Sequence, residues 1–285
     1  MSKHKIYGFG EILWDLLPQG KQLGGAPANF IYHCAQLGAD AISISSIGND
    51  PLGNEIKEVL SNNKVEAELS ISDLPTGTVS VELDDQGIPS YIIHENVAWD
   101  DIQLSKQTID QFRQADALCF GTLSQRSANN RKVLSKLLST VPSTCLTVFD
   151  INIRQSYYSK DLIEECLTSA SIFKLNEDEL ELMKSLFSLR GTTEEILSHL
   201  IKNYHLKVVA LTMGTEGSYL CTENETSFLP TTKVNVVDTV GAGDAFTAAL
   251  VVGWLQSKSL KQIHEEAVEL SAFVCMRSGA IVSKG

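Results

Sequence analysis

Several features that would assign the protein to a common functional class are missing from its 285 residues. No apolar run reaches about 18 residues, the length that a membrane helix needs, so we expect no membrane partner. The first residues are basic, but Gly8, Gly10 and Glu11 interrupt the apolar run behind them, unlike a secretory signal. Lys and Arg number 23 against 35 Asp and Glu, a net charge of −12. Because nucleic-acid binding needs a surplus of basic residues, this charge argues against nucleic acid as a partner.

The cysteines and histidines lack the spacing of metal sites and of disulfide-rich domains. Six cysteines are scattered without a C-x-x-C pair, and the six histidines show no H-x-x-x-H pair. Most of the cysteines lie in apolar surroundings, which is typical of reduced core residues. We therefore expect a cytoplasmic protein.

Familiar nucleotide-binding and catalytic motifs are absent or incomplete. The chain has no G-x-x-x-x-G-K-[ST] P-loop and neither the H-R-D nor the D-F-G element of protein kinases. Gly8-Phe9-Gly10 begins like a dinucleotide fingerprint, but the third glycine is missing and strand-like segments follow it. Ser124 lacks the flanking glycines of a hydrolase nucleophile elbow. These absences argue against dehydrogenases, P-loop enzymes, protein kinases and hydrolases of those types.

The chain does contain a regular alternation of short apolar runs and longer helical patterns. The runs predict buried strands at 41–47, 117–120, 146–151, 172–175 and 208–212. Helices are predicted at 28–37, 52–61, 126–138, 162–170, 178–187, 194–203, 245–255 and 260–276, with a hairpin at 217–229. Strands that alternate with helices indicate an α/β fold with a mostly parallel sheet covered on both faces.

Two segments depart from this alternation. Residues 12–23 and 76–94 are predicted to be strands joined by turns at 18–20 and 85–87, with no helix between them. They predict a small antiparallel lid beside the main sheet, formed by roughly 11–24 and 76–101. No repeat, linker or low-complexity tract divides the chain, so we expect a single domain over 1–285.

A glycine turn is the most informative local feature. The segment Asp238-Thr239-Val240-Gly241-Ala242-Gly243-Asp244 leads into an apolar, Ala-rich helix. Gly241 and Gly243 let the backbone approach a ligand, and the first free amides of the helix point into the same space. Asp244 would share that helix end with a bound anion, which suggests a base beside a transferring phosphoryl group. The alternative is an ordinary helix-capping aspartate.

Polar and glycine clusters also follow other predicted strands, where ligands of open α/β sheets bind. These clusters are Asp15, Gly24-Gly25-Ala26-Pro27-Ala28-Asn29, the set Asp150, Asn152 and Arg154, Asn176 to Glu179, and Thr212 to Gly217. The alternation of Asp150, Asn152 and Arg154 predicts that they share one face of a strand. For three residues an ordinary structural role stays open: Asn29 as a plain helix start, Arg154 as a surface ion pair and Glu179 as a cap.

Together, the two glycine motifs resemble the two signatures of the ribokinase-like, PfkB-type carbohydrate kinases. The similarity extends over essentially the whole chain, and the opening Gly10-Glu11-Ile12-Leu13-Trp14-Asp15 is similar to fructokinases within that family. The resemblance implies ATP-dependent transfer of the γ-phosphoryl group to a sugar hydroxyl. It also implies a three-layer α/β/α domain with a β lid that often builds a homodimer.

The resemblance further implies roles for individual residues. Asp244 would be the general base, beside an anion hole at Gly241, Ala242 and Gly243. The residues implied to hold the sugar are Asp15, Gly25, Asn29 and Arg154. The residues implied on the ATP side are Asn176, Thr212, Gly214 and Gly217, with Ser271 to Gly279 beside the adenine. Glu179 would organise Mg²⁺ through water, and the loop at Asp238 is a candidate site for a monovalent cation such as K⁺. Because the chain stops at Gly285, adenine contacts from a longer tail are not expected.

The predicted lid indicates the charge of the substrate. Residues 76–101 contain no Lys or Arg. Their acidic residues are Glu82, Asp84, Asp85, Glu95, Asp100 and Asp101. A neutral sugar, with fructose first, therefore fits better than a sugar acid such as 2-keto-3-deoxygluconate, which is the alternative enzyme substrate. A catalytically silent sugar or nucleotide sensor is the alternative from another class, and the presence of Asp244 distinguishes the enzyme from it.

Overall fold

The computed structural model describes residues 3–18, 20–83 and 89–283, which form two β-sheets and the helices around the larger one. The strands, numbered in chain order, are β1 (Lys5–Phe9), β2 (Leu13–Leu17), β3 (Gly20–Gly24), β4 (Asp40–Gly48), β5 (Glu66–Ser72), β6 (Gly77–Leu83), β7 (Pro89–Ile93), β8 (Ala117–Phe120), β9 (Leu146–Asp150), β10 (Ile172–Asn176), β11 (Val208–Thr212), β12 (Ser218–Cys221) and β13 (Thr226–Leu229). The helices are α1 (Ala26–Gln36), α2 (Pro51–Asn62), α3 (Lys106–Gln111), α4 (Ala128–Leu138), α5 (Lys160–Ser169), α6 (Glu177–Phe187), α7 (Thr193–Tyr204), α8 (Ala242–Leu255) and α9 (Leu260–Cys275).

The large sheet has the strand order β13-β12-β11-β10-β9-β8-β1-β4-β5. All neighbours from β11 to β5 pair in parallel, and β12 and β13 add an antiparallel hairpin at one edge. Apolar clusters cover both faces of the sheet. One contains Phe246 and Leu250 of α8, and the other contains Phe149 and Phe173 of adjacent strands. The predicted α/β fold with a mostly parallel, doubly covered sheet is confirmed.

Most predicted elements occur within two or three residues of their expected bounds, but there are three differences. The edge strand β5 was not predicted because it mixes exposed Glu66 and Glu68 with apolar residues. The short helix α3 was also missed. The predicted alternation of Asp150, Asn152 and Arg154 on one strand face is wrong. Strand β9 ends at Asp150, and Asn152 has the left-handed backbone angle φ 42°.

The small sheet has the strand order β3-β2-β6-β7. Both hairpins, β2–β3 and β6–β7, are antiparallel as predicted, and a parallel pairing of β2 with β6 joins them. Residue 19 of one predicted turn and the whole of the turn at 85–87 lie outside the described residues.

Arg126 connects the small sheet to the main body of the protein. The Arg126 guanidinium lies over the rings of Trp99 and Tyr157 and forms an ion pair with Asp100, with Nε 2.7 Å from Oδ1. Trp99 is fully buried in an apolar cluster that includes Val79 of β6. The small sheet is therefore tied to the main body through side chains that follow β7 and β8.

Within the described ranges, no helix has the length and apolar character needed to span a membrane. All six cysteines are free thiols, and five of them are buried. The expected reduced state of the cysteines agrees with this arrangement.

Candidate active site

The N-termini of α1 and α8 meet beyond the carboxyl ends of the central strands. The side-chain amide of Asn29, in the first turns of α1, donates a hydrogen bond to Oδ2 of Asp244 at 2.9 Å. The oxygen of the same side chain, Oδ1, is buried and has no hydrogen-bond partner among the described residues. Two helix N-termini create a local positive potential. Here that potential acts on the carboxylate of Asp244 and on Oδ1 of Asn29. The hydrogen bond between these two residues shows that the sites predicted at Asn29 and Asp244 are one site.

The glycine turn is fixed by its surroundings. Gly241 caps α8 with φ 79°, a left-handed angle that favours glycine, and a side chain there would overlap Ala280. Among the predicted anion-hole amides, that of Ala242 donates to the carbonyl of Thr239 at 3.3 Å. The first intrahelical bond runs from Ala245 to Gly241, so the amides of Gly243 and Asp244 stand at the open start of the helix.

Asp244 has the electrostatics of a proton acceptor near neutral pH. Burial raises its pKa to about 6, and the neighbouring negative charge of Asp150 adds to the rise. The hydrogen bond from Asn29 and the charges of Lys174 and Arg154 act in the opposite direction. A carboxylate with such a pKa is ionised at pH 7 and still basic enough to take a proton.

The charge of Arg154 also acts on two further carboxylates. Burial raises the pKa of Asp15 to about 6, and Arg154 opposes that rise. Glu11, which is 3% exposed, has its pKa raised to about 7 by burial, against backbone hydrogen bonds and the charge of Arg154. Asp244 raises the pKa of Glu11 further, which links these carboxylates electrostatically. Sequence reasoning included Glu11 in the fructokinase-like opening motif but gave it no role in the site. Its position directly after the buried strand β1 was the available signal.

The double glycine before α1 makes room for these carboxylates. Gly24 lies against the carboxylate of Asp15, and a Cβ at Gly24 would overlap that group. Gly25 has φ 112°, and a Cβ there would overlap the carbonyl oxygen of Glu11. The backbone of β2, β3 and the start of α1 can therefore pack this closely only with glycine at both positions.

Arg154 lies in the irregular segment after β9. Its side chain is exposed, and Nη1 donates to the carbonyl of Ile153 at 3.0 Å. Its charge nevertheless lowers the pKa values of Glu11, Asp15 and Asp244. The predicted substrate residue therefore faces the site, although its backbone is not part of a strand.

A buried ion pair lies behind the glycine turn, and sequence reasoning also missed its lysine. Nζ of Lys174 in β10 is 3.2 Å from Oδ1 of Asp150 in β9. The other oxygen of Asp150 accepts a hydrogen bond from the Thr247 hydroxyl of α8 at 2.9 Å. A lysine within an otherwise apolar strand pattern was the signal for this pair.

Asn176 and Glu179 form a capping box at the start of α6. Oδ1 of Asn176 accepts from the amide of Glu179 at 2.9 Å, and Oε2 of Glu179 accepts from the amide of Asn176 at 2.7 Å. Oε1 of Glu179 accepts from the amide of Ile153 at 2.9 Å. The capping role is therefore present. A carboxylate keeps further lone pairs, so the site also fits a magnesium-bound water, and that role stays a prediction. Within the described residues, no three His, Cys, Asp or Glu side chains are grouped as metal ligands.

The remaining residues predicted on the ATP side lie at a strand end, in turns or in hydrogen bonds to the backbone. Thr212 is the last residue of β11, and Gly214 has φ 49° in the turn that follows. Gly217 is required by packing, because a Cβ there would come within 2.5 Å of the carbonyl oxygen of Leu229. The carboxylate of Asp238 accepts from the amides of Val240 and Gly279, at 3.1 and 2.9 Å. Gly279 and Asp238 are thus in direct contact.

An open groove of about 480 Å³ lies between α9 and the segment after β13. Its lining residues are Leu229, Pro230, Thr232, Val234, Glu265, Val268, Glu269, Ala272, Phe273 and Met276. The lining surface is mostly apolar, which suits a flat heterocyclic ring. The predicted residue Ser271 directly precedes Ala272 of this lining.

Comparisons with known proteins agree on the type of protein. A family model described as pfkB family carbohydrate kinase matches residues 18–284. An uncharacterized sugar kinase of Pyrococcus horikoshii is 30% identical over 274 residues, covering 90% of this chain and 84% of that protein. A fructokinase of Escherichia coli is 27% identical over 298 residues, covering 98% of this chain and 95% of that one.

A solved structure shares the fold at lower identity. The fructokinase of Xylella fastidiosa, solved with bound ATP, superposes with a TM-score of 0.84 at 18% identity. The match covers 98% of this chain and 94% of that one. At this level of identity the similarity shows the fold alone.

Proposed function

Because the chain belongs to the pfkB family of carbohydrate kinases, we propose that it transfers the γ-phosphoryl group of ATP to a primary hydroxyl of a neutral sugar, most specifically fructose. Membership of the family makes the protein a phosphotransferase that acts on a sugar hydroxyl. The donor, the sugar, the ions and the residue roles belong to the proposal.

One observation carries the proposed chemistry. Asp244 stands at the open start of α8, 2.9 Å from the Asn29 amide, with its pKa raised to about 6. There it would take the proton of the attacking hydroxyl, while the amides of Gly243 and Asp244 receive negative charge from the phosphoryl group. Positioning and charge stabilisation of this kind are most of what phosphoryl transfer requires.

The nucleotide is assigned to the groove beside α9. Its apolar lining suits adenine, and the carbonyl of Gly214 accepts a hydrogen bond at 2.5 Å from the hydroxyl of Thr231, which stands between the lining residues Pro230 and Thr232. The solved structure of the Xylella fastidiosa fructokinase is described as having ATP bound, which supports ATP as the donor. When bound, Mg²⁺ would neutralise phosphate charge, and Glu179 with Asn176 would hold its water. The Asp238 loop is the proposed site for K⁺.

The acceptor pocket favours a neutral sugar. Asp15, Asn29 and Glu11 bring carboxylate and amide groups, and Arg154 is the cation that faces them. A sugar acid would add a negative charge next to these carboxylates, which disfavours 2-keto-3-deoxygluconate. The fructokinase-like opening motif from Gly10 to Asp15 and the name of the Escherichia coli relative, fructokinase, both support placing fructose first. Ketoses, aldoses and nucleosides must be compared directly to decide the substrate.

We also place the protein in the cytoplasm and expect a homodimer formed through the small sheet. Six free cysteines support a reducing compartment. Leu16 and Tyr91 of the small sheet are exposed large hydrophobic residues, which supports an interface there. Light scattering after size exclusion would measure the oligomeric state, and a monomer would contradict the dimer.

A substrate panel tests the proposal. Purified protein with ATP and Mg²⁺ should release ADP fastest with fructose, and Asp244→Asn should lower kcat by about a thousandfold while still binding ATP. Asp110→Asn, which changes an exposed aspartate on α3, is the matched control and should keep its activity. Turnover that survives in Asp244→Asn would overturn the assigned base. Turnover of nucleosides alone would overturn the sugar, and binding of sugar and ATP without turnover would favour the sensor.

A further inference from the structure

Lys174 occupies an unusual place for a cation. Its side chain comes from β10 in the middle of the large sheet and is 8% exposed. Nζ donates to Oδ1 of Asp150 at 3.2 Å, and Oδ2 of Asp150 accepts from the Thr247 hydroxyl. The same hydroxyl lies 3.0 Å from the carbonyl of Gly243. A chain of polar contacts therefore runs from β10 through β9 to the first turn of α8.

The ammonium also packs directly against that turn. Nζ lies 3.1 Å from the position that a Cβ on Gly243 would occupy, one residue before Asp244. A positive charge at a helix N-terminus is unfavourable, and a buried ammonium is costly unless carboxylates surround it. Asp150, Glu179 and Asp244 outweigh burial and raise the pKa of Lys174, so the lysine stays charged.

The charges around Asp244 show what the cation changes. Asp150 opposes ionisation of Asp244, whereas Lys174, Arg154 and the Asn29 amide favour it. Glu11 is a further carboxylate whose pKa responds to Asp244. Without Lys174, the buried carboxylate of Asp150 would stand beside Asp244 with its nearest cation removed. The ionised form of Asp244 would then be disfavoured at neutral pH.

We propose that Lys174 is a positioning residue that seats the first turn of α8 through Asp150 and Thr247 and keeps Asp244 ionised. In this proposal the lysine, which is buried behind the glycine turn, acts only through these groups. This inference rests on the proposed function, in which Asp244 is the base.

Charge-removing variants on both sides of the ion pair test it. Lys174→Met keeps an unbranched side chain, one atom shorter and without the charge. Asp150→Asn removes the opposing charge, and the double variant removes both. Lys184→Met is the matched control, because it breaks an ion pair of Lys184 with Glu181 on α6. The acid limb of kcat/KM against pH reports the proton acceptor of the free enzyme.

The expected shifts have opposite signs. Lys174→Met should shift the acid limb to higher pH by about one unit, since removing an opposite charge raises a carboxyl pKa. Asp150→Asn should shift the limb to lower pH, and the double variant should lie between the two single variants. Lys184→Met should match the wild type. If Lys174 serves folding alone, kcat falls without a shift of the limb. An unmoved limb in Lys174→Met, or shifts of the same sign in both single variants, would overturn the proposal.

A second measurement needs no turnover. Carboxyl-carbon NMR gives the pKa of Asp244 directly, with its signal assigned by loss in Asp244→Asn. Lys174→Met leaves the Asp150 carboxylate buried without its partner and is the variant most at risk of not folding. In that case the double variant is compared with Asp150→Asn, because these two proteins differ only in the charge of Lys174. A wild type that phosphorylates no sugar would refute the proposed function, whereas an Asp244 pKa equal in these two variants would refute the role of Lys174.

Discussion

The two sides of the proposed site are built in contrasting ways. On the acceptor side, charged and amide side chains converge from β2, α1 and α8, and three carboxyl pKa values there are raised by burial. On the nucleotide side, the groove is lined mainly by apolar side chains. The adjoining backbone carries Val236 and Val237, which are 61% and 65% exposed. One side is enclosed and charged, and the other is open and apolar.

This contrast teaches where each kind of selectivity can arise. The interactions of enclosed charged groups change strongly with pH and with the loss of a single polar atom, because low-dielectric surroundings strengthen every electrostatic interaction. An open apolar groove binds by area and tolerates small changes. Changes on the acceptor side should therefore affect kcat, pH dependence and the KM for sugar. Changes in the groove should affect the KM for ATP alone.

The largest expected effect is that of Gly25→Ala. The added Cβ would overlap the Glu11 carbonyl at a left-handed backbone angle, so the backbone between β3 and α1 must shift. Strain and overpacking together suggest a loss of about a thousandfold in kcat/KM for the sugar. Gly38→Ala is the control, because Gly38 also has a left-handed angle, but no atom of the described part of the chain lies within 4 Å of an added Cβ. Equal losses in both variants would contradict the close packing on the acceptor side.

Next in size is the effect of Glu11→Gln on stability. The pKa of Glu11 is about 7 in the folded protein against 4.5 normally, so the folded state loses stability as the pH rises through that window. The neutral variant avoids this loss and should be more stable at pH 8, by at most about 3 kcal/mol. The difference should vanish at about pH 4. Urea unfolding at both pH values measures it, and a variant less stable at pH 8 would contradict the buried charge.

A smaller change is expected for Asp15→Asn. Replacing the carboxylate weakens hydrogen bonds to the sugar by about 2 kcal/mol, so the KM for sugar should rise by about thirtyfold. The KM for ATP should stay constant, because Asp15 lies on the acceptor side. Steady-state kinetics with each substrate varied separately checks both values. A rise in the KM for ATP would mean that the two sides are not separate.

The smallest effect should come from filling the groove. Ala272→Trp places a large ring among the lining residues and should raise the KM for ATP by about tenfold, a loss of about 1.4 kcal/mol. The KM for sugar should not change. Lys261→Trp puts the same ring on an exposed position of α9 and is the control. If Ala272→Trp leaves the KM for ATP unchanged, the nucleotide binds elsewhere.

Much of the fold could be predicted because its elements carry strong local patterns. The buried strands β8, β9, β10 and β11 are mainly apolar runs between helical periods, and each was predicted within one residue of its bounds. Local patterns fail where the environment is mixed. Strand β5 at the sheet edge is one such case, and the parallel pairing of β2 with β6 depends on segments far apart in the chain.

The candidate site was predicted unevenly for a similar reason. Motifs with glycines, such as those at Asn29 and Asp244, are contiguous in sequence, and the structure brings these two residues together. Glu11 and Lys174 were missed because their neighbours come from distant positions. Lys174 meets Asp150 from another strand, and Glu11 is coupled to Asp244 across the site. A lone charged residue in an apolar pattern shows that something must compensate it, but the partner is visible only after folding.

The parallel join between β2 and β6 bears on the order in which the molecule assembles. Between these strands the chain forms α1, β4, α2 and β5, which belong to the main body. The join must therefore close a long loop, which costs entropy that nearby contacts cannot offset until the large sheet exists. We expect the small sheet to form late in folding and to open first by local unfolding. Amide hydrogen exchange would then be faster in β2 and β6 than in β1 and β8.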